Sequence, residues 1–147
     1  MSSAHRASRQ ASRQVALQVL YALDLHPERS AALEVFEGVA ANFDLPEGAR
    51  AFAKQLVCGV IDELAEIDTQ LARHARNWRL SRMAAVDRNV LRLGAYEILR
   101  TDTPVQVALD QAVELARRFG SESSPGFVNG VLDALAREAG RVEERSA

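Results

Sequence analysis

Between Asp87 and Arg100 the chain carries Val90, Leu91, Leu93, Ala95, Ile98 and Leu99. At about 100° per residue these positions cannot share one stripe, so a helix over this stretch is apolar around most of its circumference. Such a helix must be covered on several sides at once, which calls for a fold in which other helices surround it. Gly94 lies in its middle. An interior glycine costs a helix about 1 kcal/mol relative to alanine, so its presence predicts close approach by a neighbouring helix. Glu97 faces the same way as Val90 and Leu93 and needs a partner, for which a helix N-terminus or an arginine would serve.

The other segments also read as helices. Ala, Leu, Arg, Glu and Gln dominate, and no stretch alternates with β-branched enrichment. A first helix is expected from about Ala4 to Leu25, stopping before Pro27. Ser30 is placed to N-cap a short helix from Ala31 to about Asn42. Pro46 stands at the first turn of a long third segment through Leu56, Val60 and Leu64 to about Arg76, with a break expected near residues 66–68. Ser81 or Asp87 is expected to start the central helix, which ends near Arg100 before a Thr-Asp-Thr-Pro turn. A further helix runs from about Gln106 to Phe119, closed by Gly120 as a C′ residue. Ser124 is expected to cap the last one, with Pro125 at its first position, and the helix to end near Glu138 before Gly140. The connections are short and no internal repeat is visible, so the fold class is all-α: a compact bundle of six or seven helices. With 147 residues this makes one domain over 1–147, frayed at about 1–5 and 140–147.

Composition narrows the function classes. The chain is 48% hydrophobic and 26% charged, which is ordinary for a folded domain and unlike a disordered or collagenous chain. No apolar run approaches the roughly 18 residues of a membrane span, and the N-terminus has no apolar segment of a secretory signal. Cys58 is the only cysteine, which excludes an internal disulfide framework and fits a reducing, cytoplasmic location. Catalysis has little to stand on. His5, His26 and His74 are scattered, no Cys/His cluster has zinc spacing, and no phosphate-loop or dinucleotide motif occurs. Cys58, among Leu56, Val57 and Val60, reads as core filler. Asp62, Glu63, Glu66 and Asp68 have the chemistry to ligate a hard cation, but a solvated acidic face is the simpler reading. No enzyme, cofactor or metal is expected.

The basic residues are more informative. Lys54 is the only lysine among 18 basic residues, so the positive charge is almost all arginine. Arg6, Arg9 and Arg13 occur in a stretch without acids, and Arg73, Arg76, Arg79, Arg82, Arg88 and Arg92 face only Asp87. On a helix, Arg6, Arg9 and Arg13 fall within an arc of about 60°. The apolar stripe proper begins at Val15 and Leu17, so the first two turns project an arginine row that no core demands. Arginine forks match phosphate geometry, and the neighbouring Ser8, Gln10, Ser12 and Gln14 add hydrogen-bonding capacity for bases or sugar hydroxyls. The alternative is a frayed, solubilising terminus. In Phe127-Val128-Asn129-Gly130-Val131-Leu132-Asp133, the core stripe is Val128, Val131, Leu132 and Leu135. Phe127 flanks it on one side and Asn129 on the other. With Arg117, Arg118 and Phe119 nearby in sequence, Phe127 reads equally as a stacking platform for a base or as satellite core.

The motifs around these residues resemble a known family. Arg9-Gln10-Ala11 through Val19-Leu20-Tyr21-Ala22-Leu23, Val86-Asp87-Arg88-Asn89-Val90-Leu91-Arg92-Leu93-Gly94-Ala95-Tyr96-Glu97, Ala112 to Arg117 and Ser124-Pro125-Gly126-Phe127-Val128-Asn129-Gly130 are similar to the NusB family of bacterial transcription antitermination factors, over about residues 6 to 137. The resemblance implies an all-helical fold of two packed subdomains without catalytic activity. It implies binding to boxA-like single-stranded leader RNA of ribosomal RNA operons, together with NusE, a small-subunit ribosomal protein. That assembly joins the RNA polymerase elongation complex and carries it through terminators. The family's RNA-contacting helix matches Arg6, Arg9 and Arg13, with Gln14 beside them, and Phe127, Asn129 and Arg117 become further candidate contacts. Asp87 and Arg88 fall in the region that meets the protein partner. Some members are homodimers that hide the RNA face. Ser123 stands where many relatives carry an acid, and Pro125 and Gly126 replace a more basic pair.

Two readings from other classes stand beside this one. The first is the RNA-binding module of an rRNA cytosine methyltransferase, against which the absence of a strand, glycine-rich loop and helix before Ala147 argues. The second is a helical protein-interaction module whose arginines serve solubility, which predicts no RNA preference at any salt.

Overall fold

The computed structural model describes residues 3–25, 31–76 and 78–141. Among them the regular elements are all helical: α1 (Ser3–Leu25), α2 (Ala32–Ala40), α3 (Glu47–Asp62), α4 (Leu64–His74), α5 (Ala85–Arg100), α6 (Val105–Phe119) and α7 (Ser124–Glu138). A 3-10 turn, Leu80–Arg82, precedes α5. The all-α expectation and the helix count agree with this. The chain divides into two compact units, Met1–Ile61 and Asp62–Ala147. The expectations placed on His26, Pro27 and Ser30, and on the tail after Arg141, lie outside the described residues. No described helix is long and apolar enough to cross a membrane.

In the first unit α1 buries Val15, Ala16, Val19, Leu20 and Leu23, which recur every three or four residues along one side. α2 contributes Phe36, and α3 contributes Phe52, Ala53, Leu56, Val57 and Val60. Each large side chain buried in this way is worth about 1.5–3 kcal/mol. Ser12 is fully buried. Its hydroxyl hydrogen is shared between the Ala49 carbonyl of α3 at 2.7 Å and the Ser8 carbonyl at 2.9 Å. Arg50 of α3 forms an ion pair with Glu37 of α2. α2 ends at Ala40, two residues before the expected Asn42, and its N-cap is Ala31 with no side-chain bond. Pro46 lies just outside α3, where its carbonyl accepts the Arg50 amide at 2.9 Å. It caps the helix rather than opening its first turn.

In the second unit α5 packs against α4, α6 and α7, and every residue from Asn89 to Ile98 is buried. A Cβ at Gly94 would lie 2.5 Å from Leu132 Cδ1 of α7 and 3.2 Å from Ala112 Cβ of α6. The interior glycine therefore admits two helices, as its position predicted. The break between α3 and α4 falls at Glu63, ahead of the expected residues 66–68. Its carboxylate accepts a bond from Arg100 Nε of α5 at 2.6 Å. The N-cap of α5 is Ala84, not Ser81 or Asp87. Gly120 ends α6 with an extended φ of −98° and ψ of −164°, not in the left-handed conformation expected of a C′ glycine. Glycine is required there because a Cβ would lie 2.6 Å from Ser124 Oγ and 2.8 Å from the Ala116 carbonyl. Ser124 is the first residue of α7 and does not cap it; Ser123 does, without a side-chain bond. The Ser124 hydroxyl instead accepts the Ser121 amide at 2.9 Å.

Candidate nucleic-acid interface

The arginine row of α1 is where the structure departs most from the sequence reading. Arg6 is exposed, Arg9 half-buried and Arg13 only 5% exposed. Positions 6, 9, 13, 16, 20 and 23 follow one another at steps of three and four, so the arginines extend the buried stripe rather than a separate face. What meets them is Phe52 of α3. The Arg9 guanidinium lies 3.7 Å from the ring centroid and that of Arg13 5.5 Å from it. Both distances are within cation–π range, which is worth about 0.5–1 kcal/mol at an exposed site and about 2 when desolvated. Packing on Phe52 uses both Arg9 and Arg13, which overturns for these two the expectation of a row that no core demands. Ser12 is likewise committed to Ala49, and Gln14 is half-buried.

Beside Arg9, a groove of about 260 Å³ opens along His5, Ser8, Arg9, Pro46, Gly48 and Ala49. It is walled by the start of α1 and the first turn of α3, whose leading amides have no partner within the helix. Arg9, stacked on Phe52, thus lines a concave feature within the first unit, with the exposed Arg6 preceding it on α1.

In the second unit Phe127 is half-buried and Asn129 exposed. Phe127 meets Trp78, with ring centroids 5.8 Å apart and planes at 64°, an edge-on arrangement. Trp78 is 59% exposed. The sequence reading did not single it out, although it is the only tryptophan and stands between Arg76 and Arg79. Arg117 is exposed and pairs with Glu114 at 2.7 Å. Arg118 lies 5.4 Å from the Phe119 ring centroid.

Arg88 Nη1 donates to the Leu80 carbonyl at 2.8 Å and the Met83 carbonyl at 3.0 Å, closing the 3-10 turn onto α5. Asp87 sits in the first turn of α5, where one carboxylate oxygen, Oδ1, is buried and accepts no hydrogen bond from the described residues. The acidic run is more than a solvated face. Glu63 pairs with Arg100, and Asp68 takes both Nε and Nη2 of the buried Arg92 at 2.9 Å each. No group of three His, Cys, Asp or Glu residues able to hold a metal occurs among the described residues. Cys58, read as core filler, is a half-buried free thiol.

The sequence model of the NusB family matches residues 10–137, from the middle of α1 to the end of α7. The chain belongs to the NusB family. A transcription antitermination protein NusB from Solibacter usitatus is 46% identical over 133 residues, covering 90% of either chain. Another from Sorangium cellulosum is 47% identical over 137 residues, covering 92% of this chain and 96% of its own. Among solved structures, T. maritima NusB superposes with a TM-score of 0.81 at 34% identity, over 88% of this chain and 91% of that one. A crystal structure of antitermination factors NusB and NusE in complex with dsRNA superposes with a TM-score of 0.80 at 31% identity, over 90% and 98%. The matched span of this NusB-family chain begins after Arg6 and Arg9.

Proposed function

We propose that the chain is a transcription antitermination factor that works by binding, not by catalysis, in the cytoplasm. It holds a boxA-like single strand of RNA jointly with a NusE-type ribosomal protein and so keeps RNA polymerase elongating through terminators. The observation that carries this reading is the basic start of α1, with Arg6 exposed and Arg9 fixed on Phe52 at the rim of a groove. The structural neighbour containing both NusE and RNA supports the pairing of partners. In the second unit Phe127 and Asn129, with Arg117 beside them in sequence, present stacking area and hydrogen-bonding groups to an unpaired base. Asp87 and Arg88, at the start of α5, are the proposed contacts to the ribosomal protein.

The roles of the arginines divide. Arg6 contacts phosphate directly, whereas Arg13 holds Phe52 and acts through packing. Arg6→Ala should therefore flatten the salt dependence of RNA binding by about 0.7 in log–log slope for each phosphate that Arg6 neutralises. Arg13→Ala should lower the melting temperature instead. The deciding measurement is a titration of a boxA-like single strand against a scrambled strand and a duplex, at two salt concentrations, with and without the ribosomal protein. Preference for the boxA-like strand, tightened by the partner, is expected. Equal binding to all three, or none with the partner present, would overturn the proposal.

A further inference from the structure

One arginine-rich segment is not used by this reading. Arg76, Arg79 and Arg82 are all exposed, and no carboxylate among the described residues pairs with them. They recur every three residues in the sequence, Arg79 in extended backbone and Arg82 at the end of the 3-10 turn Leu80–Arg82. Trp78 stands among them, 59% exposed, its backbone fixed by a 3.0 Å bond from its amide to the Ala75 carbonyl. An indole exposed to this degree forfeits apolar burial, yet it is anchored edge-on against Phe127. With 59% of Trp78 exposed and Phe127 meeting it edge-on, the indole retains accessible surface for another planar group. Aromatic rings interleaved with unpaired arginines on a surface match a single-stranded nucleic acid. The rings take bases by stacking and the cations take the intervening phosphates.

We infer that Trp78 is a second base-stacking residue, continuing the platform of Phe127, with Arg76, Arg79 and Arg82 holding the phosphates on either side. This rests on the RNA-binding reading above and extends it to a segment of the second unit. The chemistry favours RNA over a protein partner because a polyanion answers three exposed guanidiniums at once, and an unpaired base answers the exposed indole.

Trp78 is the sole tryptophan in the chain, so its emission reports on this position alone. The full-length protein is titrated with a boxA-like single-stranded RNA carrying a terminal dye, with the NusE-type ribosomal protein present. Dye anisotropy reports binding, while tryptophan emission, corrected for the ribosomal protein's own, reports stacking. Emission should be quenched in step with the rise in anisotropy. Trp78→Ala should weaken binding between about 5- and 150-fold with the salt slope unchanged, as removal of one stacking surface requires. Trp78→Phe should recover part of that loss. Arg79→Ala with Arg82→Ala should flatten the slope by about 0.7 for each phosphate the pair neutralises. A normal rise in anisotropy with unchanged emission, and wild-type affinity in Trp78→Ala, would overturn the inference and leave the antitermination reading standing. Emission that responds to the ribosomal protein alone and not to RNA would also overturn it, assigning Trp78 to the protein contact. No anisotropy change for any RNA would instead bring down the reading on which it rests.

Discussion

Replacing Asp68 with alanine is expected to destabilise the protein by about 3 kcal/mol. Asp68 accepts two parallel bonds from Arg92, Nε to Oδ1 and Nη2 to Oδ2, both at 2.9 Å, while Arg92 Nη1 reaches Asn89 Oδ1 at 3.3 Å. The Arg92 side chain is 9% exposed and that of Asp68 28%. Paired guanidinium and carboxylate of this geometry form the stronger class of charge-assisted bonds. Deleting one partner of a buried pair costs about 3–5 kcal/mol, because the remaining charge keeps its desolvation penalty without the acceptor that offset it. The lower end applies here, since the Asp68 carboxylate retains contact with water. Exposed pairs such as Arg117–Glu114 and Arg137–Asp133 contribute only about 0–1 kcal/mol each. Urea unfolding of Asp68→Ala and Glu114→Ala separates the two classes. The first should lose several-fold more stability, and its loss should persist in about 1 M salt, where screening removes what the exposed pair contributes. Pairing Asp68→Leu with Arg92→Met should return most of the loss, because a buried ion pair replaced by apolar groups of similar volume is often neutral. Near-wild-type stability in Asp68→Ala would mean that the pair does not anchor α4 to α5.

The same pair shows why some of this architecture could be read from sequence and some could not. The burial of α5 and the purpose of Gly94 were legible because both are written in a single stretch: an apolar circumference and a costly residue inside it. The acidic run was read as solvated because the arginines that neutralise it, Arg92 and Arg100, stand on another helix. Local sequence does not place them opposite Glu63 and Asp68. The start of α4, with Glu63 as an N-cap that makes no side-chain cap bond, has no breaker residue to mark it. The α1 arginines were read by their charge and their spacing from one another. Their register with Ala16, Leu20 and Leu23 was available to simple arithmetic. Phe52, the ring that turns that register into burial, lies on α3. Helix starts failed for a different reason. Caps worth about 1 kcal/mol yield to packing, so α5 begins at an uncapped Ala84 and the Ser124 hydroxyl turns back to the Ser121 amide. Trp78 carried a legible signal, a lone indole between arginines, but the neighbour that orients it, Phe127, comes from α7.

The contact of α5 with α7 gives the second large effect. Leu132 is fully buried, and its Cδ1 occupies the space that a side chain at Gly94 would need. Leu132→Ala should cost about 2–5 kcal/mol, the sum of forfeited transfer free energy and the cavity left between rigid helices. Gly94→Ala alone brings two opposed effects. Helix propensity favours it by about 1 kcal/mol. Overpacking opposes it by about 1–3 kcal/mol, since Leu132 Cδ1, at 2.5 Å in a fully buried side chain, must move and Ala112 Cβ, at 3.2 Å, cannot rotate away. A net loss is therefore expected. In the double variant the new methyl enters the space vacated by Leu132, so the clash disappears, part of the cavity is filled and the propensity gain is realised. The double variant should accordingly be more stable than Leu132→Ala alone, with a coupling of about 0.5–3 kcal/mol between sites that would otherwise add. Urea midpoints at constant slope would measure it. Simple additivity of the two losses would show that close approach of α7 is not what requires glycine at position 94, and would shift the requirement to Ala112 on α6.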